Sequence, residues 1–244
     1  MKNYKLIVQY DGTHYAGWQI QLNAVSVQGV LQDRISQIVN ENINLIGAGR
    51  TDSGVHALGQ TANFRTENEL DLYRFKHSLN SILPRDIAVK TIVEVEEDFH
   101  ARYDAVKRSY IYIISKGKSP FYDKYSWWYH GLIHCDKLNS LSEYLFGEKN
   151  FTAFSRKASE TENKICFIHN IRWKEWKDLV IFYVEADRYL HGMVRTMVGT
   201  LLHTLKLNLN IDYLRDVINT KDRESAGEAV PAKGLFLYKV KYKS

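Results

Sequence analysis

Apolar and polar residues alternate loosely from Lys5 to Tyr10 and stop at the turn pair Asp11-Gly12, which predicts a first strand. Between Val27 and Val39 the apolar positions are 27, 30, 31, 35, 38 and 39. That is helical spacing with one buried stripe, and Ser26 is placed to cap it. Ile43-Asn44-Leu45-Ile46 reads as a strand running into a glycine-rich loop, and Gln60 to Phe64 resumes as another. Leu72, Phe75, Leu79, Ile82 and Leu83 mark a second helix that Pro84 stops. Ile87 to Val95, rich in β-branched residues, reads as a strand.

The second half repeats the style. Arg108–Ser115 and Tyr125–Tyr129 read as strands, and Asp136–Phe146 as a helix. Ile165–Trp173 and Leu179–Glu185 form an expected hairpin around Asp178. Helices are expected at Leu190–Leu205 and Ile211–Ile218, and an alternating strand at Gly234–Tyr242. The pattern predicts an α+β chain in two halves, residues 1–105 and 106–244, joined near 100–108.

At 244 residues, 45% hydrophobic and 25% charged, the composition is that of an ordinary globular chain with ample material for a core. No apolar run approaches a membrane span and no secretory pattern opens the sequence, so the default expectation is cytoplasmic, with no membrane partner. His134-Cys135 and Cys166-Phe167-Ile168-His169 invite a metal reading. Adjacent strand residues point to opposite faces, so these read as ordinary partly buried residues, with no metal expected.

Charge changes the picture once it is divided. Residues 1–100 hold 9 Lys+Arg against 12 Asp+Glu, and the remainder 24 against 16. Within 101–124, Arg102, Lys107, Arg108, Lys116, Lys118 and Lys124 are interleaved with Tyr103, Tyr110, Tyr112, Phe121 and Tyr122. Cations that neutralise phosphate and rings that stack on splayed bases suit RNA, with an affinity that falls as salt rises. A solvated strand face over core aromatics accounts for the same residues equally well.

The densest chemistry lies in Gly47-Ala48-Gly49-Arg50-Thr51-Asp52-Ser53-Gly54-Val55-His56-Ala57. Asp52 is displayed on a turn with a cation two residues before it, as a nucleophile or an acid/base group requires. Thr-Asp-Ser-Gly is equally a plain turn sequence. It is neither a Walker loop nor a dinucleotide fingerprint: no Gly-Lys-Ser/Thr follows, and Asp52 stands where the third glycine would be.

Segment by segment, the chain resembles the tRNA pseudouridine synthase A (TruA) family. The resemblance is carried by Tyr10-Asp11-Gly12-Thr13-His14-Tyr15-Ala16-Gly17-Trp18-Gln19, by Gly49–Ala57, by Phe99-His100-Ala101-Arg102-Tyr103 and by Lys107-Arg108-Ser109-Tyr110-Ile111-Tyr112. Asn150-Phe151-Thr152-Ala153-Phe154, His191-Gly192-Met193-Val194-Arg195 and Ala232-Lys233-Gly234-Leu235-Phe236-Leu237 follow in order. The resemblance implies two similar ferredoxin-like α/β-sandwich halves with antiparallel sheets meeting at a central cleft. It also implies a homodimer that isomerises uridine to pseudouridine in the anticodon arm of tRNA, at positions 38, 39 and 40. No metal or cofactor is implied, since the rearrangement is redox-neutral.

In the same reading Asp52 matches the catalytic nucleophile and Arg195 its ion-pair partner. Tyr110 matches the tyrosine that stacks on the base and assists proton transfer, and Arg50 the residue that intrudes into the stem to hold the base out. Leu235 matches an apolar residue on the base's other face, and His56 belongs to loop architecture or an RNA contact. Ser53 stands where the family usually has alanine, and Gly192 where a second histidine is common. The alternative is a non-catalytic RNA-binding or RNA-folding paralogue on the same surface. A glycoside hydrolase needs two carboxylates flanking the bond, and the loop offers one.

Overall fold

The computed structural model describes residues 1–157 and 162–243. The chain divides into two compact units. One is Met1–Val106 together with the segment from Phe236 onward, and the other is Lys107–Leu235. The final strand is thus grouped with the N-terminal half, whereas the sequence placed it in 106–244.

In the first unit β1 (Lys2–Tyr10) is flanked by two antiparallel partners, β3 (His56–Thr66) and β4 (Ile87–Val95). The alternation in β1 sends Tyr4, Leu6, Val8 and Tyr10 inward. β10 (Leu235–Tyr242) joins β3 in parallel, pairing Phe236 with His56 and Leu237 with Ala57. That parallel pair is what brings the C-terminal segment to this unit.

Two helices complete the sandwich. α1 (Val27–Val39) begins at Ser26, whose side chain accepts the Gly29 N–H, and buries Val27, Leu31, Ile35 and Val39. α2 (Leu72–Ile82) meets the sheet through Phe75, whose ring stacks 5.9 Å from Phe64. Of the strand expected at 43–46 only Ile46 pairs, forming with Gly47 the short β2 (Ile46–Gly47) against β3. The residues before it are tied to α1 instead. Ser36 Oγ accepts the Ile43 N–H, Gln32 Oε1 accepts the Leu45 N–H, and Gln28 Nε2 donates to the Leu45 carbonyl. With their backbone groups met by side chains, they need no ladder.

In the second unit β5 (Ala105–Ser115), β9 (Leu179–Ala186), β8 (Ile165–Trp176) and β7 (Gly147–Asn150) pair antiparallel in that order, and the short β6 (Trp127–Trp128) lies parallel to β5. α3 (Cys135–Glu143) is fastened to β8 by Trp173, whose indole N–H donates to Ser142 Oγ at 3.0 Å. The helix expected to reach Phe146 ends early, because the chain turns through Gly147 into β7, a strand the apolar pattern concealed. α4 (Met193–Lys206) begins three residues later than expected, since Gly192 at φ +76 breaks the helical path. α5 (Ile211–Thr220) follows. Each unit is an α/β sandwich, and the fold class is α+β. Among the described residues no helix is long and apolar enough to cross a membrane.

Candidate active site

The loop that carries Asp52 joins β2 to β3, and the segment after β1 grips it. Asp52 begins a tight turn: its carbonyl accepts the Val55 N–H at 3.1 Å, and Gly54 takes φ +74, a value that a residue with a Cβ rarely adopts. Trp18 N–H donates to the Thr51 carbonyl at 3.1 Å, and Ser53 Oγ donates to the Tyr15 carbonyl. Tyr10 and Thr51 share a buried hydroxyl–hydroxyl bond of 2.8 Å. Gly17 lies so close that a Cβ there would fall 2.3 Å from the Thr51 carbonyl oxygen. From below, Gln60 Nε2 donates to the Gly49 carbonyl at 2.7 Å. Two of the sequence segments singled out above therefore pack on each other, and Asp52 is half-buried on a turn whose backbone is held on both sides.

Arg50 is exposed, and its Nε donates to Gln19 Oε1 at 3.2 Å. His56 is buried, 1% exposed, and stacks on Phe236 at 4.7 Å. Its Nδ1 accepts the Gly12 N–H at 3.1 Å and lies equally near the Asp11 carboxylate. His56 therefore ties the start of β3 to the segment after β1. At that depth it meets neighbouring residues rather than solvent.

Tyr110, Arg195 and Leu235 belong to the second unit. Tyr110 lies on β5 opposite Val184, 7% exposed, with the edge of Tyr189 against its ring at 4.9 Å. Arg195 sits in the first turn of α4, half-buried, and its Nε donates to the Val230 carbonyl at 2.7 Å. Leu235 opens β10 and is 5% exposed. Tyr112, two residues beyond Tyr110, is wholly buried, and its hydroxyl donates to the Pro231 carbonyl at 2.8 Å. Burial pushes that hydroxyl's pKa far up against the opposing pull of the Arg195 guanidinium, so it stays a donor. Sequence reasoning missed Tyr112 and Gln60 as supports. The only signal for Tyr112 was its two-residue spacing from Tyr110.

Cys135 opens α3 and Cys166 is buried in β8, where burial pushes its thiol up to about 12. His134 and Cys135 stand at a helix start rather than on the strand assumed above. Among the described residues, no group of three His, Cys, Asp or Glu is arranged to hold a metal ion.

Comparison with known proteins bears on what this loop belongs to. A family model described as tRNA pseudouridine synthase matches residues 6–104 and 141–243. The chain belongs to the tRNA pseudouridine synthase family. Asp52, Arg50, His56, Arg195 and Leu235 fall inside the matched spans, and Tyr110 falls between them. Curated relatives named tRNA pseudouridine synthase A match at full length. That of Thermoanaerobacter sp. (strain X514) is 39% identical over 244 residues, covering 99% of this chain and 100% of the relative. That of Clostridium acetobutylicum is 41% identical over 244 residues at the same coverage. That of Brachyspira hyodysenteriae is 38% identical over 247 residues, covering 100% of this chain and 99% of the relative. The family is one of isomerases, and the matched spans take in the loop, the α4 arginine and β10 together.

Proposed function

We propose that this chain isomerises uridine to pseudouridine in the anticodon arm of tRNA, at positions 38 to 40, with Asp52 as the nucleophile. The observation that carries the reading is the loop itself: one carboxylate, half-buried, on a turn fixed by Trp18, Gln60 and the Tyr10–Thr51 bond, in a member of this family. The reaction breaks the bond between ribose C1′ and N1, turns the base, and joins C1′ to C5. The C5 proton leaves and N1 gains one, so the exchange is redox-neutral. A carboxylate that attacks and later departs is sufficient covalent help.

In this reading Arg195 is the cationic partner of the Asp52 carboxylate. Tyr110 stacks on the base and assists loss of the C5 proton, while Leu235 packs on the base's opposite face. Arg50, exposed at the loop's edge, offers a planar cation to the stem from which the base is drawn. His56 serves the architecture of the loop. The working enzyme is taken to be a cytoplasmic homodimer, which light scattering on the purified protein tests.

The deciding experiment is tritium release from C5-labelled uridine in unmodified tRNA, with wild type and Asp52→Asn compared and tRNA binding checked for both. Release by wild type and none by Asp52→Asn, with binding retained, is the expected result. An Asp52→Asn protein that releases tritium refutes the role of Asp52. No release by either, with binding intact, favours the non-catalytic RNA-binding paralogue.

A further inference from the structure

The second unit contains a strap whose construction none of the roles above requires. Residues 226–234 cross α4 and β5 without regular structure of their own until a short 3-10 turn, Ala232–Gly234, delivers the chain to Leu235. Its fastenings are specific. Gly227 N–H donates to Thr200 Oγ1 at 3.0 Å, and Arg195 holds Val230 from both sides, side chain to carbonyl and carbonyl to N–H. Tyr112 fastens the entrance of that turn, donating its hydroxyl to the Pro231 carbonyl at 2.8 Å, and on the exposed side Lys233 Nζ donates to the Asp123 carboxylate at 2.9 Å.

The turn also presses onto the Tyr112 ring. A Cβ at position 234 would lie 2.8 Å from a ring carbon of Tyr112 and 2.8 Å from the Ile113 carbonyl oxygen, distances that real side chains do not show. The hydroxyl fixes the turn's entrance and the ring fixes its exit, one residue before Leu235. Tyr112 is 0% exposed and cannot touch a substrate. Whatever it does for the reaction, it does through the strap.

We propose that Tyr112 is a positioning residue for the reaction: it sets the depth at which Leu235 meets the base, through the Pro231–Gly234 turn. The proposal rests on the base-packing role of Leu235 given above. A side chain that is displaced by even about 1 Å at a reacting base costs on the order of 10- to 100-fold in rate.

The test uses full-length protein, C5-labelled tRNA and a double-mutant cycle. Tyr112→Phe keeps the ring against Gly234 and removes only the hydroxyl. The expected result is a kcat lowered on the order of 10-fold, with KM and tRNA affinity near wild type, and no further loss when the change is made in Leu235→Ala. Gly234→Ala, which pushes the same turn off the ring, is the second variant. It should lower kcat and be equally silent in the Leu235→Ala background, and it decides the matter if Tyr112→Phe does not fold. A Tyr112→Phe enzyme with wild-type kcat overturns the proposal, as do losses that multiply with Leu235→Ala. Undiminished kcat in Leu235→Ala overturns the reading of Leu235 and the proposal with it, whereas multiplying losses leave the reading of Leu235 standing.

Discussion

Gln60 offers a test in which stability and catalysis should separate. Its Nε2 donates to the Gly49 carbonyl at 2.7 Å, and its Oε1 is buried with no hydrogen-bond partner among the described residues. Gln60→Leu keeps the side chain's bulk and deletes both groups. Stranding the Gly49 carbonyl costs about 1–3 kcal/mol, and removing an unsatisfied buried oxygen returns about 1–3 kcal/mol. These oppose each other, so the net change should lie within about 1 kcal/mol, a shift in Tm of no more than about 4 °C at this chain length. Catalysis has no such compensation. Gly49 is three residues from Asp52, and a loop released on that side lets the carboxylate wander, at a cost of roughly 10-fold or more in kcat. Thermal denaturation and tritium release on the same preparations measure both. A Tm lowered by about 10 °C would refute the compensation, and an unchanged kcat would refute the claim that this bond holds the loop.

Arg195→Lys keeps the charge but cannot reproduce the Nε bond to the Val230 carbonyl, so kcat in tritium release should fall about 10- to 100-fold; wild-type activity would mean that charge alone suffices. Cys166 is fully buried and its thiol is pushed up to about 12, so iodoacetamide at pH 8 should label Cys135 in the native protein and reach Cys166 only after denaturation, as read by mass spectrometry. The folded thiol keeps its proton to about 12 and the unfolded one releases it near its ordinary 9.0, so this group's contribution to stability is whole below pH 9 and declines above it. Denaturant titrations between pH 8 and 10 should show that decline, and a rising stability would contradict it.

What could be read in the sequence follows from how each element is stabilised. α1, α2 and the β8–β9 hairpin bury one periodic face each, and periodicity is visible in a string of residues. β7 was hidden because Gly147-Glu148-Lys149-Asn150 has no apolar pattern at all; its place comes from pairing with β8. The 43–46 segment failed for the opposite reason, having a strand's apolar pattern but backbone groups claimed by Ser36, Gln32 and Gln28. The candidate site divides in the same way. Asp52 and Arg50 stood out as the charged pair of a loop dense in glycine, whereas Arg195 alone read as an ordinary helix cation and was singled out only by the family resemblance. Tyr112 and Gln60 were not legible, because a buried aromatic or amide looks like core until its hydrogen-bond partner is known.

Those partners share one property. Gln60, Trp18, Tyr112 and Arg195 each donate to a main-chain carbonyl in a segment outside helix and strand: Gly49, Thr51, Pro231 and Val230. Irregular backbone near a core must have its carbonyls met by something other than a ladder, and here three side chains and the Trp18 main-chain N–H meet them. The two segments so held are the ones that carry Asp52 and lead to Leu235. Each of these four fastenings is a neutral bond or an arginine bond to a neutral carbonyl, so none depends on a carboxylate staying ionised. The loop and the strap should therefore keep their shape on mild acidification. Near-ultraviolet circular dichroism checks this: an unchanged signal is expected, and a signal lost in step with activity would show that the support had given way.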